Sequence, residues 1–429
     1  MKNGFFNPKT ETRYNKGMHM MAKKVLVVGG GVAGLTAASE LADLDIDVEI
    51  VELSDFPGGH AIQYTCKATD QCVKCGACMV EEKLEGVVQN PKITMMTGTR
   101  IQDVTRSEDF SITLSKKPVF IDPDKCSNCG ICFEKCPENG AVMKGSSKNH
   151  APFFAISEKK CLYLKDSSCK ICQEACPEDA IDLDAAEMTV STHADAVVLS
   201  TGFTPFNPVN KPYGYGKFEN VITNLDMERM FRRDGRALKP SNGIEAGSIA
   251  FIQCVGSRDA KLNHLWCSKV CCGSALRMAG LVKARQPETR ITFFYMDVQT
   301  FGRDFDEFYT NVHKDVYLIR AIPGDIYPAA GDQMRVTFLD NASSETFQEE
   351  FDLVVLSIGM TPCQGMQTTS DILKVPLAET GFLEQTGKGG VTSETGIFAA
   401  GAVSGPMSIA ESIASGNETA FEVAKYLGI

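Results

Sequence analysis

The sequence predicts an α/β chain of two domains with a small α+β domain inserted into the first, and three observations carry this. A glycine-rich turn lies between two short apolar strands at Val25–Glu52. Two runs of four cysteines fall between residues 118 and 195. Two further buried strands, ending in Thr201-Gly202 and at Gly359, bracket a second α/β stretch. At 429 residues the chain suits two or three domains. Hydrophobic residues make up 43% and charged residues 23%, which fits a globular chain. No apolar run approaches the ~18–20 residues of a bilayer span, so direct membrane insertion is not expected. A net charge of −11 argues against nucleic acid as a partner.

The 17 cysteines are the informative count. Met1–Met20 is polar and lacks the apolar core of a secretion signal, so residues 1–21 read as a leader, tag or arm before a natural start at Met21. Abundant cysteine in such a chain points to metal sites rather than disulfides. Sixteen cysteines group at Cys66–Cys78, Cys126–Cys136, Cys161–Cys176 and Cys254–Cys272, leaving Cys363 alone. Sixteen thiolates suit four cubane clusters.

Taken in chain order, VLVVGGGVAGL is a strand running through Gly29, Gly31, Val32, Ala33 and Gly34 into a helix. Glu52 ends a second strand eighteen residues past Gly34. This is the strand–turn–helix–strand unit of a dinucleotide site. Gly29 makes the turn, Gly31 lets backbone approach a pyrophosphate, Gly34 permits close helix packing, and Glu52 accepts from a ribose hydroxyl. Gly59 and His60 follow in the next loop. Cys66, Cys72, Cys75 and Cys78 resemble an iron–sulfur run without its usual CxxxCP ending. Four cysteines there also permit a three-ligand, redox-sensing or inert role.

Cys126-x2-Cys129-x2-Cys132-x3-Cys136-Pro137 matches the bacterial two-cluster ferredoxin run, whose fourth cysteine serves the other cluster. The second run is Cys161, Cys169, Cys172 and Cys176. Crossover therefore predicts one cluster on Cys126, Cys129, Cys132 and Cys176, and another on Cys161, Cys169, Cys172 and Cys136. Zinc is the competing metal for paired CxxC. The second α/β stretch opens with SIAFIQCVG and has no GxGxxG. Cys254, Cys267, Cys271 and Cys272 stand where that turn belongs, with Cys267 and Cys271 at i and i+4 on one predicted helix face. Four soft thiolates suit an iron–sulfur cluster. Buried inert thiols and a strained vicinal disulfide are the alternatives. His264 and His60 read as packing or hydrogen-bonding groups, and Asp304–Glu307 as a solvated face.

The segments GIFAAGAVSGPMSI, with Gly401, Ala402 and Ile409, and AVVLSTG resemble the closing elements of two-dinucleotide-binding flavoproteins such as thioredoxin reductase. Gly401-Ala402 departs from the Gly-Asp usual there. With FIQCVGSRD, CSKVCC and FFYMDVQTFGRDFDEFY added, the whole chain from about Ala22 resembles the A subunit of heterodisulfide reductase. Its compact layout is more similar to the A subunit of the quinone-interacting membrane-bound oxidoreductase complex. Gly58-Gly59-His60 departs from the family's frequent Gly-Gly-Arg.

The resemblance implies a thioredoxin-reductase-like fold, an FAD, 4Fe–4S clusters and an oxidoreductase subunit working inside a complex. It places FAD-binding parts at 22–118, 191–243 and 363–429. The ferredoxin-like insertion falls at 119–190, and a degenerate NADPH-like domain with a cluster at 244–362. It implies electron transfer between the menaquinone pool and adenylylsulfate reductase. The partners implied are a haem-containing membrane subunit and a second A-like flavoprotein subunit. The site would be cytoplasmic, peripheral on the membrane. The alternative is a heterodisulfide reductase or bifurcating complex with B- and C-like subunits. A self-contained NAD(P)H-dependent reductase, similar to the small subunit of glutamate synthase, and a non-catalytic cluster scaffold are the other readings.

Overall fold

The computed structural model describes residues 23–148, 152–299, 305–340 and 343–429. The expected arm at 1–21, with its proposed start at Met21, lies outside them, as does Asp304 of the acidic stretch. The first domain is a five-stranded parallel sheet in the spatial order 397–399, 196–199, 24–28, 47–51, 93–96. Its central strands are apolar on both sides because both faces are covered. Helix Val32–Asp43 packs with Ala77–Gln89 and the C-terminal helix Ile409–Leu427 on one face. A three-stranded antiparallel sheet, 99–106, 110–116 and 188–194, covers the other.

The cysteine-rich insertion springs from that small sheet. Lys116 pairs directly with Met188, so the insertion leaves and returns between two adjacent residues of a ladder and the host sheet is undisturbed. It has its own core, where Phe120, Ile121, Phe153, Phe154 and Ile156 surround buried Cys132, Cys161 and Cys172. The Phe56 ring of the first domain lies against Gly145 of the insertion.

The second domain is a parallel sheet ordered 221–223, 353–358, 248–255, 290–294, 317–319. Helices Asn224–Asp234 and Cys271–Arg285 cover one face, and an antiparallel sheet of 325–329, 333–339 and 346–351 covers the other. This corrects the boundary expected at residue 244. Val221–Thr223 pairs with Leu353–Ile358, and Met227, Met230 and Phe231 join the second core. Three residues carry too little period for the sequence to place them, and their partner is more than a hundred positions away. The two domains meet at a short antiparallel pair, Phe203–Pro205 with Met360–Pro362.

Candidate functional site

The glycine turn has the geometry its spacing predicts. A Cβ on Gly29 would fall 2.4 Å from the Ser200 carbonyl, and one on Gly34 would fall 2.0 Å from the Gly29 carbonyl. Turn, neighbouring strand and helix are thus in contact. Gly31 differs, because a Cβ there would meet nothing within 4 Å. Gly31 caps helix Val32–Asp43 with no side-chain acceptor for its first-turn N–H groups. Open space before unsatisfied helix N–H donors is an anion cradle. Val32 and Ala33 form that first turn. The Glu52 carboxylate accepts from the Gly30 amide at 2.7 Å and from the Ser54 amide and hydroxyl at 2.8 and 2.7 Å. It fixes the loop beside the cradle and keeps lone pairs for a ribose hydroxyl.

The remaining flavin-site residues surround the same mouth. Gly59 lies over Gly31, with a Cβ 3.1 Å from its Cα. The His60 ring is 4.8 Å from the Phe203 ring, and its Nε2 is 3.1 Å from the Phe203 carbonyl. Burial lowers its pKa, which favours the neutral imidazole. The Thr201 hydroxyl is buried and meets no protein group in hydrogen-bond geometry, with the Cys363 thiol beside it. Gly202 opens onto free space. The Gly401 amide donates to Ser415 Oγ at 3.0 Å, and Ala33 blocks any Cβ at Gly401, so Gly401 and Ala402 bring the last strand close to the first helix. Ile409 opens the C-terminal helix, which Ser408 and Glu411 close with a capping box.

In the insertion, Cys126, Cys129, Cys132 and Cys176 line one cavity, and Cys136, Cys161, Cys169 and Cys172 line another. These are the crossed sets. The thiols border shared space rather than closing on one point. Among the described residues, no three His, Cys, Asp or Glu side chains converge as they do around a single ion. Burial, reinforced by neighbouring thiols, pushes Cys132 and Cys172 up to about 11. Such thiols stay protonated near neutral pH and release their protons when a metal binds.

The third set converges by a different route from the one predicted. Cys267 is not helical. Lys269 has φ +62°, and the helix begins only at Cys271. The i, i+4 face is therefore replaced by a tight turn, held where buried Ser268 accepts from the Met360 amide at 2.8 Å. Cys254 has φ +60° at a register shift between Ile252 and Val255. It is the extra residue of a β-bulge, a device that re-aims a side chain at a strand end. The thiols of Cys254, Cys267 and Cys272 lie close enough to act electrostatically on that of Cys271, and burial raises those of Cys254, Cys271 and Cys272.

Cys72, Cys75 and Cys78 share a backbone pattern with the insertion. Lys74 (φ +50°) and Gly76 (φ +78°) repeat Asn128 (φ +56°) and Gly130 (φ +85°) at matching places, and a helix starts after each glycine. The Lys74 amide donates to Cys72 Sγ at 3.4 Å, as the Lys269 amide donates to Cys267 Sγ at 3.3 Å. Cys66 is exposed in the irregular segment that precedes them.

Several contacts that join the parts carry no sequence signal. Lys67 and Glu228 form an ion pair at 2.5 Å, 3% and 4% exposed, and Glu228 also accepts from the Thr65 amide. Arg277 donates to the Val73 carbonyl at 2.9 Å, and Lys269 pairs with Glu411 at 3.3 Å. Their partners are distant in the chain. FAD fits the open cradle at Gly31 and the unpartnered Thr201, and 4Fe–4S clusters fit the thiol-lined cavities.

These features define an iron–sulfur flavoprotein of thioredoxin-reductase-like fold. Residues 27–79 match the NAD(P)-binding Rossmann-like domain family and residues 119–140 the 4Fe-4S binding domain family. Thioredoxin reductase of T. acidophilum superposes with a TM-score of 0.54 at 15% identity, covering 95% of this chain and 99% of that one. The flavoprotein disulfide reductase RclA of Escherichia coli gives 0.52 at 14%, covering 95% and 71%.

Over most of its length the chain is similar to A subunits of heterodisulfide reductases. It is 34% identical to the second iron-sulfur A subunit of CoB–CoM heterodisulfide reductase from Methanopyrus kandleri, over 94% of this chain and 64% of the relative. It is 30% identical to the A subunit of H2:CoB-CoM heterodisulfide,ferredoxin reductase from Methanothermobacter marburgensis, over 94% and 63%. The chain thus spans less than two thirds of the length of these relatives.

Proposed function

We propose that this chain moves electrons between one FAD and four 4Fe–4S clusters, as the A-type subunit of a heterodisulfide-reductase-like complex. The observation that carries this is the thiol set at the end of strand Ser248–Val255, where a thioredoxin-reductase-like fold would carry its second nucleotide turn. The ligands would be the two crossed sets of the insertion, Cys254, Cys267, Cys271 and Cys272, and Cys72, Cys75 and Cys78 with Cys66. Bound FAD exchanges electrons singly or in pairs, whereas clusters pass them one at a time.

The chain's own residues supply position. The first-turn amides after Gly31 would hold the pyrophosphate of FAD, and Glu52 its ribose. Neutral His60, fixed on Phe203, closes the flavin mouth at the domain junction. Lys67, Glu228 and Arg277 keep the Cys66–Cys78 segment seated between the two domains.

The names of the relatives favour a heterodisulfide reductase complex, for which B- and C-like subunits would be the partners, over the menaquinone and adenylylsulfate reductase role. Among the described residues no helix is long and apolar enough to cross a membrane. A peripheral site at the membrane would depend on partner subunits. The test is to pre-reduce the anaerobically purified protein and mix it with B- and C-type subunits. Heterodisulfide-dependent reoxidation is the expected result. Reoxidation by a menaquinone analogue alone would favour the quinone-linked reading. Stoichiometric flavin reduction by NADPH without partners would overturn both.

A further inference from the structure

Among the buried polar side chains of the second domain without a protein partner, Gln253 and Ser357 stand together, while Thr292 lies on the neighbouring strand. Gln253 is 3% exposed, and neither its Oε1 nor its Nε2 makes a hydrogen bond. Ser357 is fully buried, and its Oγ makes none. An amide or hydroxyl sealed from water without a partner bears its full desolvation penalty. Two of them side by side at the ends of adjacent strands call for a cause.

Their placement supplies it. Strand alternation puts Gln253 on the same face as Ile249 and Phe251, and Ser357 on the same face as Leu353 and Val355. Those four apolar residues belong to the core under helix Cys271–Arg285. The strands pair in register, Phe251 with Val355 and Ile252 with Leu356, and then the bulge sets in. Gln253 therefore stands next to Ser357 at the carboxyl ends of adjacent parallel strands, where α/β sheets bind ligands. Gln253 directly precedes Cys254. Ser357 directly precedes Ile358, whose carbonyl is 3.7 Å from the Cys271 thiol.

We propose that Gln253 Nε2 and the Ser357 hydroxyl are donors to the sulfurs of the cluster bound by Cys254, Cys267, Cys271 and Cys272, and that they raise its reduction potential. A reduced cluster carries more negative charge on its sulfurs than an oxidised one, so donors in a low-dielectric site favour reduction. This cluster would then accept electrons more readily than one lined only by apolar groups. Both side chains act on potential and neither binds iron. The inference rests on the functional reading above.

The test is an anaerobic redox titration, followed by electron paramagnetic resonance, of the full-length holoprotein and its Gln253→Leu and Ser357→Ala variants. The midpoint of one cluster is expected to fall in each variant and further in the double variant. Iron content, FAD content and the other midpoints should stay unchanged. Ser357→Ala removes a single oxygen, so it serves if Gln253→Leu does not fold. Unchanged midpoints at full iron content would overturn the proposal and leave the two groups as hosts of a buried water. Cys271→Ala separates this from failure of the functional reading. If that variant keeps all its iron, there is no cluster here and the reading itself fails.

Discussion

At the residue scale the site depends on a few positions where backbone or side-chain room decides what binds. Gly31 is the clearest. Gly31→Leu places its side chain in space no protein atom uses, at an ordinary φ of −80°. The variant should fold and keep its iron but lose its FAD, read from the flavin-to-iron ratio. Normal flavin content would show that the pyrophosphate does not sit there. Gly34→Ala should behave differently, because its Cβ would strike the Gly29 carbonyl and cost the fold itself. The placement of Gly29, Gly31, Gly34 and Glu52 around one turn was legible because a dinucleotide turn uses fixed residue types at fixed spacing. The positive φ of Cys254 was not legible. It arises from a bulge set by the pairing of strands about a hundred residues apart.

At the scale of elements, the cysteines of the insertion gather as their spacing suggests, whereas the backbone around Cys267 is set by tertiary contacts. The crossover in the insertion follows from spacing, and the two cavities gather the same sets. Cys176→Ser should therefore impair the cluster of Cys126, Cys129 and Cys132 and spare that of Cys161, Cys169 and Cys172. Mössbauer or electron paramagnetic resonance spectra of the variant compared with Cys161→Ser check this. Identical spectral losses from both would contradict crossed ligation. The helix expected through Cys267 is absent because Lys269 turns left-handed and Ser268 is buried in the domain junction.

The Lys67–Glu228 pair joins the cysteine segment to helix Asn224–Asp234. Removing one partner of a buried pair strands the other charge, at about 3–5 kcal/mol. Lys67→Met should lower the urea midpoint of the second domain, which the lone Trp266 reports. Burial raises the Glu228 carboxyl above its usual range. A raised carboxyl gives stability that is fully present below its unfolded value of ~4.3 and is lost as pH rises through the folded one. The deficit of Lys67→Met should therefore shrink as the pH is lowered towards that value. A deficit independent of pH would mean that lost packing, not stranded charge, is responsible.

At the scale of the whole molecule, two parallel sheets meet at one short strand pair, and the Cys66–Cys78 segment lies across their junction. The buried ion pair, Arg277 on Val73 and Lys269 on Glu411 all hold that segment or the Cys267 turn in place. The two-sheet architecture was visible in the apolar strands and glycine turns. The true border, before Val221, was hidden because a three-residue strand owes its place to a distant partner.

The central claim is that thiols holding a cluster occupy the place of a nucleotide turn in the second domain. The iron-to-FAD ratio of anaerobically purified Cys271→Ala, compared with wild type, tests it most directly. A fall from about sixteen irons per FAD to about twelve, one cluster's worth, is expected. An unchanged ratio in the folded variant would contradict it.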